Sequence, residues 1–180
     1  QLLALLNERL ALEADGDRLR AQLAILDTDA LGKRMTFIVG VKVITLGGGL
    51  YRYEYAIQNF HSDKSGGSFS VPVPAGSTVT NIGFHDVDYH SGEPYNNLDW
   101  AGVFSGGAVS WTCPTAYNAA SDVGNALRWD TIYNFWFETN QAPQAGNAVL
   151  GLYKGGGSVN VATTVPGSGG ALPNDACANA

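Results

Sequence analysis

Two β-rich runs hinged on three glycines constrain this chain more than any other feature: TFIVGVKVITL, then GGG, then LYRYEYAIQN, over residues 36–59. The second run alternates Tyr51, Tyr53, Tyr55 and Ile57 with Arg52, Glu54, Ala56 and Gln58. That period of two gives a strand one apolar face and one wet face, and the glycines supply the turn, so the segment predicts a β-hairpin. SFSVPVPAG follows, where Pro72 and Pro74 cannot donate ladder hydrogen bonds, which predicts an edge or sheet-switching strand. TVTNIGFHDV, AVSWTC, IYNFWFET, NAVLGLY and SVNVATTV continue the pattern between turn signals such as APQAG and KGGG. Seven to nine short strands without interleaved helices predict an antiparallel β-sandwich, immunoglobulin-like or jelly-roll-like, over residues 36–165.

The ends of the chain differ from this middle. QLLALLNERLALEADGDRLRAQLAIL is rich in strong helix formers, with Leu5, Leu12, Leu19 and Leu26 seven residues apart. The companion positions fail as a coiled-coil seam, because Arg9 and Gly16 occupy two of them, and DGD at 15–17 breaks the run. Residues 1–35 are therefore expected to form one kinked or two short helices. Their leucine stripe would be buried on the β domain or on a neighbouring subunit. Residues 166–180 read as a Gly, Ser and Pro tail.

Charge excludes some partners. Net charge is −6, and the acids outnumber the bases most strongly outside the first 35 residues, so no basic surface for nucleic acid or anionic membrane is expected. No apolar run is long enough for a membrane span. Low Lys, abundant Gly, Ser, Thr and Asn, and only two cysteines suit a secreted or cell-surface protein. Cys113 and Cys177 are disulfide candidates, either with each other or, for Cys177, with a partner beyond this segment.

Four passages, YRYEYAIQN, SFSVPVPAG, TVTNIGFHDVDYHSGEPYNNLDWAG and NALRWDTIYNFWFET, resemble a C-terminal β module of large secreted proteins encoded by environmental bacteria, over residues 36 to about 154. Such a module recurs after quite different upstream regions and has no established activity. The resemblance thus implies an extracellular location and modularity, not a reaction. The closing PNDACANA is similar to the opening of another secreted module, which implies a downstream partner for Cys177.

The densest polar stretch is HDVDYHSGEP, residues 85–94. If strand alternation continued through it, Asp86, Asp88 and His90 would share a face and, with Glu93 or Asp99, would suit Ca²⁺ or a transition metal. The competing reading is a hydrogen-bonded loop, since neither HExxH nor a DxDxDG loop is present. A metal-dependent enzyme centred on His85–Glu93 is the remotest reading. No GxSxG turn exposes a serine, and the GGG runs lack the GK[ST] of a phosphate loop. Among the aromatic residues, Tyr95, Trp100 and Trp136 are candidates to stack on sugar rings, the rest being expected in the core. The reading that results is a non-catalytic extracellular structural or assembly module without a cofactor, Ca²⁺ aside, whose partners are itself or other surface proteins. A carbohydrate-binding module is the alternative.

Overall fold

The computed structural model describes residues 19–28, 34–88 and 92–167, giving only the backbone for 19–28 and for residues 34 and 35. Among the described residues every regular element is a strand: β1 (Leu19–Thr28), β2 (Arg34–Gly47), β3 (Leu50–Asn59), β4 (Gly66–Pro72), β5 (Val79–His85), β6 (Gly102–Ser105), β7 (Ala108–Thr112), β8 (Ile132–Thr139), β9 (Ala142–Leu152) and β10 (Ser158–Gly167). Strands β2 to β10 make an antiparallel sandwich. One sheet has the order β2-β3-β8-β5 and the other β10-β9-β4-β7-β6, with β1 adding to the free edge of β2.

The hairpin forms as its sequence demands. β2 and β3 pair from Phe37↔Asn59 to Gly47↔Leu50. Gly47, Gly48 and Gly49 all have φ between +61° and +87°, a region that side chains with a Cβ avoid. Tyr53, Tyr55 and Ile57 are buried, while Arg52, Glu54 and Gln58 remain partly exposed on the outer face. β8 repeats the pattern, burying Tyr133, Phe135 and Phe137 and leaving Trp136 outside.

Aromatic rings fill the space between the sheets. Phe135 of the first sheet lies 5.1 Å from Phe69 and 5.3 Å from Trp111 of the second, ring centroid to centroid. Tyr53 and Phe137, paired across β3 and β8, stack at 5.4 Å. Such contacts add about 1 kcal/mol each to the area they bury. The tyrosine hydroxyls also cross the sandwich: Tyr55 donates to the Thr164 carbonyl at 2.8 Å and Tyr53 to that of Gln141 at 3.0 Å.

Two expectations are corrected. Residues 19–28 are not helical: they pair with β2 from Leu19↔Lys42 to Thr28↔Arg34. Helix propensity separates ordinary residues by only about 0.7 kcal/mol, so a ladder along an otherwise open sheet edge overrides it. Leu19, Arg20, Ala21, Gln22 and Leu23 also alternate, as a strand does. In a strand a spacing of seven no longer defines one stripe, so the heptad loses its meaning for Leu19 and Leu26. Leu5 and Leu12, the rest of 1–18, and the tail from 168 lie outside the described residues. The second correction concerns β4, which is interior to its sheet, between β9 and β7. Pro72 is tolerated because it is the last residue of the strand, where pairing with β9 has already stopped at Ser70. Beyond Pro74 the chain does switch sheets, entering β5 of the first.

The connections are unevenly shared between the two ends. Residues 60–65, 86–88, 92–101, 113–131 and 153–157 gather at one end, whereas the other has the tight turns 48–49, 106–107 and 140–141 and the link 73–78.

Candidate functional site

The crowded loop end is held by a buried amide. Asn125 has no exposed surface. Its Nδ2 donates to Asp86 Oδ2 and to the Leu98 carbonyl, the latter at 3.1 Å. Its Oδ1 accepts from the Tyr133 hydroxyl at 2.5 Å, and its carbonyl accepts from Trp100 Nε1 at 2.6 Å. One residue thus ties the loop after β5 to the loop after β7 and to β8. A second brace is Asn59, also fully buried, whose Nδ2 reaches the carbonyls of Ser62 and Leu127.

This arrangement decides where the residues of HDVDYHSGEP go. β5 ends at His85, so the alternation that would align the next carboxylates stops there. Asp86 turns to Asn125, Asp88 and Glu93 are exposed, and His90 lies outside the described residues. Among the described residues no three His, Cys, Asp or Glu side chains converge as a metal-binding group. The structure therefore brings Asp86 to an amide rather than into a three-ligand group among the described residues.

Tyr95 and Trp100 have other work. The Arg128 guanidinium lies 4.0 Å from the centroid of the Tyr95 ring and 5.0 Å from that of Tyr153. Arg128 also grips Asp122 with two bonds of 2.7 Å and donates to the Gly124 carbonyl at 2.8 Å. That grip holds the Asp122 carboxyl below its usual range. Trp100 cannot offer a face to a ligand, being 1% exposed, parallel to Phe84 at 5.7 Å and edge-on to Tyr133. It closes the core beneath the loops. Cys113 is buried, with Sγ 3.3 Å from the Thr115 carbonyl; burial pushes its thiol above the usual value, which keeps it protonated. Cys177 is outside the described residues.

Trp136, half-buried as Tyr95 is, stands on the outer face of the first sheet. Its indole lies directly over Gly83, where an added Cβ would come within 2.2 Å of ring atoms. Arg52 sits over the ring at 5.6 Å and is itself held by Glu54 at 2.7 Å and Glu138 at 3.6 Å. Register explains the assembly. Trp136 pairs with Glu54, which pairs with Lys42, while the next row runs His85, Asn134, Ala56 and Gly40. Small residues in one row beside long ones in the next leave a groove across the strands of about 510 Å³. Of its lining, sequence reasoning singled out Trp136 and, in a different role, His85, and missed Arg52, Lys42 and Asn134. Their wet-face alternation in β3 and β8 was visible, but the partner strands were not.

The second sheet is different in kind. β4, β6, β7, β9 and β10 contain no Asp, Glu, Lys or Arg. One outer row crosses all five strands as Val103, Ser110, Ser70, Val149 and Asn160. Ser70 and Ser110 are bonded hydroxyl to hydroxyl at 2.8 Å, and Val103 is 56% exposed. The edge strand β6 carries neither the charge nor the proline that usually guards an edge.

These features define a two-sheet antiparallel β-sandwich with a polar groove on one sheet and an uncharged outer face on the other. No family model, curated protein or solved structure matches the chain.

Proposed function

We propose that this domain is a non-catalytic extracellular module that assembles with copies of itself through the outer face of its second sheet. The observation that carries the reading is the lack of any charged residue in the five strands of that sheet. Charged side chains are the ordinary means by which a sheet face or edge is kept from its neighbours. A face of Ser, Val, Gly and Asn meets its own copy without charge repulsion and without the cost of burying an ion. The backbone of the edge strand β6 favours strand addition at the rim of the same sheet. A sandwich of immunoglobulin or jelly-roll type presents its sheets in this way, and the composition and module resemblance support a secreted or cell-surface setting. Sedimentation velocity over a concentration series tests it: the weight-average coefficient rises with concentration. A sedimentation coefficient fixed at the value of a compact monomer up to millimolar protein removes the proposal.

A further inference from the structure

We infer that the groove on the outer face of the first sheet is a binding site for a neutral polysaccharide, with Trp136 as the stacking platform. The groove is about 510 Å³ and runs across strands rather than into the core, which suits a segment of an extended chain better than an enclosed small molecule. Its aromatic wall is pre-positioned: the indole lies over Gly83 of β5 and the Arg52 guanidinium sits over the ring 5.6 Å from its centroid, which leaves the part of the indole that lines the groove for a sugar. A pyranose ring offers a flat array of C–H bonds to such a surface and hydroxyls at its rim. Around Trp136 stand directional partners for those hydroxyls: the Asn134 amide, the His85 imidazole, the Glu54 carboxylate and the Lys42 ammonium.

Charge selects the class of sugar. Arg52 is offset by Glu54 and Glu138, and Lys42 stands across the ladder from Glu54, so positive and negative groups nearly cancel along the groove. A strongly anionic glycan would meet Glu54 and Glu138, whereas a neutral one meets both donors and acceptors. Because this face is opposite the uncharged sheet, the site stays open when second sheets pack together.

Native affinity electrophoresis tests the site directly, with hydroxyethylcellulose, arabinoxylan, mixed-linkage β-glucan and galactomannan each cast into separate gels. The expected result is retardation in at least one, weakened at least about tenfold by Trp136→Ala and partly kept by Trp136→Phe, since loss of a stacking platform removes about 1.4 kcal/mol or more. Thermal melting of each variant reports whether it is folded; if Trp136→Ala is not, Asn134→Ala decides in its place with the same expected weakening. Absence of retardation in every gel overturns the inference, as does retardation that a folded Trp136→Ala or Asn134→Ala leaves unchanged.

Discussion

Replacing Asn125 by Ala should loosen the whole loop end, and the size of the effect can be worked from the bonds lost. The Asp86 carboxylate and the Leu98 carbonyl both lose the donor Nδ2, while the Tyr133 hydroxyl keeps an acceptor in the Ala126 carbonyl at 2.9 Å. A hydrogen bond to a charged group contributes about 2 kcal/mol and a neutral one about 1 kcal/mol, so the loss is about 3 kcal/mol. For a domain of this size that corresponds to roughly 6–12 °C in Tm. Asn125→Asp keeps the shape but turns both donors into acceptors and places a second carboxyl against Asp86. That carboxyl would have a raised pKa in the folded state. Its destabilisation is therefore fully developed at neutral pH and relieved as pH falls through the raised value. Urea unfolding followed by tryptophan fluorescence measures both variants, Trp100 being bonded to the Asn125 carbonyl. A loss below about 1 kcal/mol for Asn125→Ala, less than a single ordinary buried bond and its orphaned partner would give, refutes the bracing role.

Two further outcomes follow from the same packing. Phe135→Ala, at 1% exposure between Phe69 and Trp111, should cost about 4 kcal/mol in urea unfolding, whereas Trp129→Ala, at 65% exposure, should cost under about 1 kcal/mol. The Asp122–Arg128 pair gives a pH signature. Because the Asp122 pKa is depressed in the folded state, its stabilisation is present above the ordinary carboxylate value and lost as pH falls through the depressed one. Asp122→Ala should thus cost about 2 kcal/mol at pH 7, discounted for a side chain one quarter exposed, with the gap to the unsubstituted protein closing below about pH 4 in acid titrations of stability.

How much of this was written legibly in the chain depends on the range of the contact involved. The hairpin and the buried faces of β3 and β8 follow from alternation and glycine, which are local, and the outward position of Trp136 follows with them. β1 was not legible, because Leu, Ala, Arg and Gln favour a helix locally and only the open edge of β2 makes them a strand. The fate of Asp86 was hidden for a different reason. Its partner Asn125 is 39 residues away, and nothing near either residue announces the bond. Trp100 was a candidate to stack on sugar rings, yet the ring turns inward onto Phe84, a contact that the residues beside it do not announce. The uncharged sheet was present in the sequence as segments without Asp, Glu, Lys or Arg. They gain their meaning only when β4, β6, β7, β9 and β10 are known to lie side by side.

The division between an assembling sheet and a binding sheet can be tested by placing one new charge on each. Val149→Lys sets an ammonium within the uncharged row of the second sheet, and Gln58→Lys sets one on the outer face of the first. In sedimentation velocity at a concentration where the unsubstituted protein associates, Val149→Lys should run as a monomer and Gln58→Lys should associate as before. Equal association of all three proteins, or loss of association in Gln58→Lys alone, would contradict the account.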